Sequence, residues 1–275
     1  MTMQRFRIKD LGQVDRSKPL RFKFDGKFYE GYRGDTLASA LLANGVHLMG
    51  RSFKYHRPRG LLSAGAEEPN ALIQVGEGNS TDPNTRATQV RLLDGLTVKS
   101  QNRWPNLNFD LGYVNNLIHR LLPAGFYYKT FMWPASWWMR YEYWIRRAAG
   151  LGEAPKGADP DRYEKNHAHC DVLIVGSGPA GLSAALAAGQ TGARVILAEE
   201  QDSFGGSLTY NTDCTIDGLP AFEWVKRTVV ALSSMPEVIL LKTTVATGYY
   251  DHNYLTLLDT TDNGNQTGSE YKTRQ

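Results

Sequence analysis

The chain has 275 residues and a formal net charge of +3, with 41% hydrophobic, 21% charged and 11% aromatic residues. That balance excludes a disordered chain, a collagen-like repeat and a disulfide-stapled secreted module, and a charge of +3 spread over this length gives no electrostatic case for nucleic acid. Two cysteines, Cys170 and Cys214, cannot build a four-cysteine iron–sulfur or zinc site.

The opening segment, MTMQRFRIKDLGQVDRSK, is charged and has no apolar run of signal-peptide length. No stretch reaches the roughly 18 apolar residues that a membrane helix needs. A reducing cytoplasm is therefore the expected compartment, with both cysteines as free thiols and no membrane partner. Residues 20–32, LRFKFDGKFYEGY, place Asp25-Gly26 between two β-prone runs. That dipeptide predicts a hairpin, because a type I′ turn needs positive φ at both central positions. A helix follows, capped by Asp35 or Thr36, lined by Leu37, Ala40 and Leu41 and ended by Asn44-Gly45. Residues 71–75 and parts of 86–99 read as strands. Hairpin, helix and further strands are the order of a small β-grasp domain.

The pattern changes after residue 100. Leu111, Val114, Leu117, Ile118 and Leu121 fall at helical spacing and predict a helix over 110–122. Ten of the thirty aromatic residues lie within 126–144, where Trp137, Tyr141 and Trp144 share one helix face and are expected to pack between the two domains or against another chain, with cofactor stacking or a membrane surface as the alternatives. Residues 149–168 are rich in Gly, Pro and charge and read as a linker. His167 and His169 flank its end, but two histidines without further ligands hold no metal, so no metal site is assigned.

Residues 171–206 carry the chemistry. Asp171 to Val175 form a buried strand, and Gly176-Ser177-Gly178-Pro179-Ala180-Gly181 matches G-x-G-x-x-G. A helix follows, ended by Gly192; Arg194 to Ala198 form a second strand, closed by Glu199. Gly176 permits the strand-to-helix turn, Gly178 lets a pyrophosphate approach the backbone, and Gly181 lets helix and strand pack closely. The helix N-terminus then faces the phosphates. Glu199, 23 positions after Gly176, is placed to accept hydrogen bonds from adenosine ribose hydroxyls and to repel a 2′-phosphate, favouring NAD or FAD over NADP. Residues 220–233 read as a helix with Phe222, Val225, Val229 and Leu232 on its face. Residues 238–241, 244–249 and 252–260 read as strands, with the adenine expected near Val245 and Ala246. The polar tail TTDNGNQTGSEYKTRQ adds no strand to close the sheet, so an incomplete dinucleotide domain is expected.

Three stretches make the reading more specific: GDTLASALLANGVHLMGRSFKYHRPRGLLSAGAEEPNALIQVG (34–76), the aromatic run (126–147) and VGSGPAGLSAAL. With them the chain resembles the N-terminal part of the α subunits of the heterotetrameric sarcosine oxidase family. The aromatic-Gly-Gly of Phe204-Gly205-Gly206 likewise resembles the loop of two-dinucleotide-binding-domain flavoproteins.

The resemblance implies a mixed α/β and α+β architecture. Its expected parts are a clusterless, ferredoxin-like β-grasp domain over 1–100, an aromatic-rich connector and linker over 101–168, and the first part of a Rossmann-type FAD/NAD(P)-binding domain over 169–275. Relatives that hold a cluster carry C-x₄-C-x₂-C after the Pro-Arg-Gly; here those places are Ser63, Glu68 and Ala71, so no cluster is expected. The basic stretch 51–59, with Arg51, Lys54, His56, Arg57 and Arg59, reads as a solvated or subunit-facing loop, with docking to an acidic partner surface as the alternative.

The resemblance further implies noncovalent NAD in this chain. Ala180 falls at the pyrophosphate turn, Glu199, Glu200 and Gln201 at the adenosine ribose, Gly206 and Ser207 in the loop beyond, and Ala246 at the adenine. FAD and FMN belong to the holoenzyme, β, γ and δ subunits are partners, and tetrahydrofolate is bound by a region beyond this chain. The implied reaction is oxidative demethylation of sarcosine to glycine, with one-carbon transfer and formation of peroxide. No residue here is assigned as catalytic, because no nucleophile–base pair or carboxylate dyad is visible. Two alternatives stand beside this: the α subunit of a related amine or opine oxidase or hydrogen cyanide synthase-like dehydrogenase, and a non-catalytic dinucleotide-binding scaffold.

Overall fold

In a computed structural model of the chain, the described residues are 4–9, 12–122, 125, 131–148, 150–159, 162–211 and 213–260, with the backbone of 273–274. The chain divides into two compact units, Met1–Asp159 and Pro160–Gln275, so the boundary falls inside the Gly/Pro-rich segment. The aromatic segment belongs to the first unit.

The first unit opens with β1 (Asp15–Phe24) and β2 (Lys27–Arg33), an antiparallel pair in which Phe24 faces Lys27 across the turn. Asp25 and Gly26 both have positive φ, 46° and 81°, as the hairpin reading requires. The Asp25 carboxylate also accepts hydrogen bonds from Ser100 N, Ser100 Oγ and Arg103 Nη2. Helix α1 (Leu37–Ala43) follows. Thr36 is its cap: its hydroxyl accepts from Ser39 N, and Ser39 Oγ accepts from Thr36 N. Gly45 leaves the helix at φ 77°.

Two short strands, β3 (Gly50–Arg51) and β4 (Pro58–Arg59), pair with each other. The main sheet is completed by β5 (Leu72–Val75), β6 (Asp82–Arg86) and β7 (Thr97–Ser100), in the order β2-β1-β7-β5-β6. Strand β7 runs parallel to β1, which is the arrangement of a β-grasp. The sheet closes over α1 around Phe22, Phe24, Leu37, Leu41, Met49, Ile73, Leu92 and Val98, all essentially buried. Each such side chain contributes about 1.5–3 kcal/mol through removal from water. Of 86–99, residues 97–99 are strand and 86 ends β6, while the stretch between them is mainly turn.

The helix expected over 110–122 is broken. A 3₁₀ turn at Leu111–Tyr113, a four-residue helix α2 (Val114–Leu117) and a second 3₁₀ turn at His119–Leu121 replace it. The apolar stripe is not buried: Leu117 and Leu121 are 71% and 76% exposed. Helices take most of their stability from packing an apolar face, and this stripe has none to pack on among the described residues. Helix α3 (Trp138–Ala148) does form after a 3₁₀ turn at Ala135–Trp137, and the Trp137 and Tyr141 rings lie 6.2 Å apart. Trp137 and Trp144 are 48% and 66% exposed, however, so the expected packing of this face is not seen among the described residues. Residues 126–130 of the aromatic run lie outside the described residues.

The second unit begins with β8 (Arg162–Tyr163) and β9 (Val172–Val175). Helix α4 (Pro179–Gln190) leads to β10 (Val195–Ala198). The short pair β11 (Thr215–Ile216) and β12 (Leu219–Pro220) precedes α5 (Ala221–Ser233), which leads to β13 (Val238–Leu241). The three long-range strands are parallel in the order β13-β10-β9, the doubly wound arrangement. An antiparallel pair, β14 (Thr244–Tyr250) and β15 (Tyr254–Asp259), comes next. Strand β16 (Thr273–Arg274) pairs in parallel with β8; the rest of the polar tail from 261 lies outside the described residues.

The buried face of α5 differs from the expected one. Phe222 is 53% exposed, while Trp224, Val225, Thr228 and Leu232 are buried. Trp224 turns the helix, because its Nε1 donates to Asp217 Oδ2 at 3.0 Å while its ring fills the core.

Candidate functional site

The site lies at the C-terminal ends of β9 and β10, where the strand–turn–helix sequence places its glycines. Each glycine meets a different constraint. Gly176 has φ 92°, a left-handed turn that L side chains rarely adopt. A Cβ on Gly178 would meet nothing within 4 Å, so this glycine leaves open space above the turn. A Cβ on Gly181 would lie 2.0 Å from Gly176 O, so the third glycine packs the helix onto the turn.

Gly178 is the N-cap of α4, and no side chain caps it. Pro179 follows at the first helical position, where its missing N–H costs nothing. Ala180 is exposed in this first turn. The N–H groups and the dipole of the helix start therefore face an open, glycine-lined space, which is the geometry that binds phosphate.

Glu199 sits at the end of β10 and is 4% exposed. Its Oε2 accepts from Ser177 N at 2.8 Å and from Ser177 Oγ at 2.5 Å, and its Oε1 accepts from Gln201 N at 2.9 Å. A carboxylate offers about four acceptor positions. Among the described residues three are used, which leaves one on Oε1. Glu200 beside it is half-buried.

Ser177 is fully buried and links three segments. Besides its bonds to Glu199, its carbonyl and hydroxyl oxygens both accept from Gly205 N. A Cβ on Gly206 would lie 3.0 Å from Gly178 Cα, so the double glycine packs directly against the glycine turn. Ser207 is exposed at the start of the 3₁₀ turn that follows. Thr244 N donates to the backbone carbonyl of Glu199 and Thr243 N to that of Gln201, so β14 starts beside the end of β10. Half-buried Ala246 lies two residues along that strand.

The structure thus draws Gly176–Gly181, Glu199, Gln201 and Gly206 together by direct contacts. Sequence reasoning missed the part Ser177 plays. The available signal was a hydroxyl inside the glycine turn, 22 residues before the acid it bonds.

At the opposite ends of the same strands, Arg194 N, Nε and Nη2 donate to the Asp171 carboxylate and pin the register of β9 on β10. The Arg194 bonds hold Asp171 down at about 2, so it stays ionised at neutral pH. Burial pushes the neighbouring Cys170 thiol up, and Asp171 adds to the shift, so Cys170 is a poor nucleophile at pH 7. Among the described residues, no group of three or more His, Cys, Asp or Glu could hold a metal ion. No described helix is long and apolar enough to cross a membrane.

The comparisons with known proteins agree with both units. Residues 17–103 match the family described as 2Fe-2S iron-sulfur cluster binding domain, and residues 171–254 match FAD dependent oxidoreductase. The sarcosine oxidase subunit alpha of Rhizobium meliloti is 58% identical over 252 residues, 91% of this chain and 25% of that protein. This chain is a homologue of sarcosine oxidase α subunits. The sarcosine oxidase subunit alpha of a Corynebacterium species is 35% identical over 88% of this chain and 21% of its own length. The chain therefore spans about a quarter or less of the length of the curated relatives it matches. L-proline dehydrogenase from P. horikoshii shares the fold, with a TM-score of 0.52 at 20% identity over 91% of this chain and 39% of that one.

The cluster implied by the first family does not fit the residues present. Both cysteines lie outside 17–103, and the resemblance drawn from the sequence puts Ser63, Glu68 and Ala71 where cluster thiolates would stand. Ala71 is fully buried in the apolar core, and Ser63 Oγ is buried without a hydrogen-bond partner. A dinucleotide does fit the second unit. The space over Gly178, the uncapped start of α4 and the open acceptor position on Glu199 match a pyrophosphate and a ribose hydroxyl.

Proposed function

We propose that the second unit binds NAD or FAD noncovalently, as part of an α subunit of a sarcosine oxidase-type amine oxidoreductase. The observation that carries this is the buried Glu199 carboxylate, held by Ser177 and Gln201 beside the open N-terminus of α4. The backbone at Gly178 and Ala180 takes the pyrophosphate. Glu199 takes one adenosine ribose hydroxyl, and Glu200 and Gln201 line the other. Gly206 and Ser207 border the pyrophosphate from the double-glycine loop, and Ala246 lies at the adenine. A bound nicotinamide or flavin dinucleotide supplies hydride acceptance, and this chain's residues bind and orient it; none is assigned as catalytic. The match to FAD-dependent oxidoreductases supports a flavin, and the ribose carboxylate serves NAD equally.

At the level of the whole enzyme, the proposed reaction is demethylation of sarcosine to glycine, with one-carbon transfer to tetrahydrofolate and formation of peroxide. FAD and FMN belong to the assembled oxidase, and β, γ and δ subunits are its partners. Homology to sarcosine oxidase α subunits supports this reading.

Titration of the full chain with NAD, FAD and NADP tests the site. NAD or FAD is expected to bind, and NADP to bind more weakly, because the Glu199 charge repels a 2′-phosphate. Glu199→Ala is expected to weaken binding by about 1–3 kcal/mol, roughly 5- to 150-fold, with circular dichroism confirming the fold. With one acceptor position left on Glu199, deleting one ribose hydroxyl of the ligand should cost more than deleting the other. Unchanged affinity in Glu199→Ala would sink the site assignment.

A further inference from the structure

Loop 60–71 of the first unit is built around a charge. Glu68 is fully buried, and its carboxylate receives a converging set of backbone N–H groups. Leu62 N and Ser63 N donate to Oε2 at 2.7 and 2.8 Å, and Asn70 N donates to Oε1 at 2.7 Å. The loop is closed around it from outside. Arg86 Nε donates to Glu68 O at 3.1 Å. Thr88, also buried, donates its hydroxyl to Gly65 O at 2.8 Å, and Ala87 N donates to Ala71 O. Such an array of N–H groups is an anion receptor, and leaving it empty inside a fold strands each donor at a cost.

We propose that the Glu68 carboxylate has taken over the structural role of a cluster in this β-grasp domain, serving as the internal anion around which loop 60–71 closes. On the resemblance drawn from the sequence, the three places that would hold cluster thiolates divide the work. Glu68 supplies the negative charge, Ala71 supplies apolar wall and Ser63 supplies an inert hydroxyl. Burial pushes the Glu68 carboxyl up, but the bonds from Ser63, Leu62, Asn70 and Ala71 outweigh it and hold the group below the usual carboxylate range. It is therefore an anion at neutral pH. The first unit on this reading is a scaffold that carries no electrons, and its loop is a receptor for a small carboxylate that the chain itself fills.

The full chain tests this by thermal unfolding and iron uptake. Glu68→Gln keeps the shape but turns an N–H₂ group toward backbone donors; it is expected to lower the melting midpoint of the first unit by about 10 °C. Glu68→Ala is expected to lower it further, and added formate or acetate should restore several degrees where chloride at equal ionic strength does not. Ser63→Ala, which removes an unpartnered hydroxyl, should leave the midpoint unchanged or raised. Incubation of the wild-type chain with ferrous iron and sulfide should yield no visible charge-transfer absorption. Wild-type midpoints in both Glu68 variants, a rescue by chloride equal to that by formate, or cluster absorption in the wild-type chain would each overturn the proposal.

Discussion

Gly178→Ala is expected to leave the melting midpoint of the second unit nearly in place while weakening NAD or FAD binding by about tenfold or more. The fold has room for the methyl group: a Cβ at this position meets nothing within 4 Å, and Gly178 has φ −63°, which alanine adopts readily. Alanine is a poorer N-cap than glycine, and that costs about 1 kcal/mol at most. The space the methyl group would fill is where, in the proposed site, a pyrophosphate would approach the backbone.

Gly181→Ala should behave in the opposite way. Its Cβ would sit 2.0 Å from Gly176 O, an overlap with backbone that no side-chain rotation relieves. Destabilisation of about 3 kcal/mol, the upper end of the usual overpacking range, is expected, with a fall in midpoint on the order of 10 °C. Calorimetry and ligand titration on the two variants separate the roles. A Gly178→Ala variant that binds NAD and FAD as tightly as wild type would remove the phosphate from this turn.

Asp35→Ala is expected to cost about 3–5 kcal/mol of stability in the first unit, seen as loss of its unfolding transition at a temperature the wild type survives. Asp35 has no exposed side-chain surface and ties four segments together. Arg7 donates to both its oxygens at 3.1 and 2.7 Å, Tyr32 N at 2.9 Å and Ser39 Oγ at 2.6 Å, while Asp35 O accepts from Leu92 N. Removing the carboxylate leaves a largely buried guanidinium without its counter-ion, which costs more than the pair itself contributes. Asp35→Asn keeps the shape and part of the hydrogen bonding, so it should fall between wild type and Asp35→Ala. A midpoint unchanged in Asp35→Ala would mean that the N-terminal segment carrying Arg7 is not held by this pair.

Much of the framework was legible because it is local. Asp25-Gly26 and Asn44-Gly45 are turn and cap signals whose backbone demands are met within a few residues. The strand–glycine–helix–strand–acid spacing from Asp171 to Glu199 is likewise a chain of local steps, and the parallel order of β9, β10 and β13 follows from it. Where several residues could serve one purpose, the sequence left the choice open: both Asp35 and Thr36 could cap α1, and the structure uses Thr36 while Asp35 faces Arg7. The helical spacing over 110–122 misled, since periodicity records an apolar stripe and says nothing of a surface to bury it. Phe222 misled for a related reason: the Trp224–Asp217 bond decides which way α5 turns.

Composition and spacing by themselves determined what chemistry this chain can supply. Two cysteines outside the first unit exclude a four-thiolate cluster whatever the fold, because folding cannot add ligands. A glycine turn followed at the right distance by an acid likewise carries the proposed phosphate and ribose reading from spacing alone. Only the tertiary structure decided where the buried carboxylates find their partners. Glu68 gathers the N–H groups of Leu62, Ser63 and Asn70, Glu199 locks onto Ser177, and Asp35 meets Arg7 across 28 residues. The physical reason is that a buried charge is stable only where donors converge on it, and convergence belongs to the path of the backbone in space rather than to any run of residues.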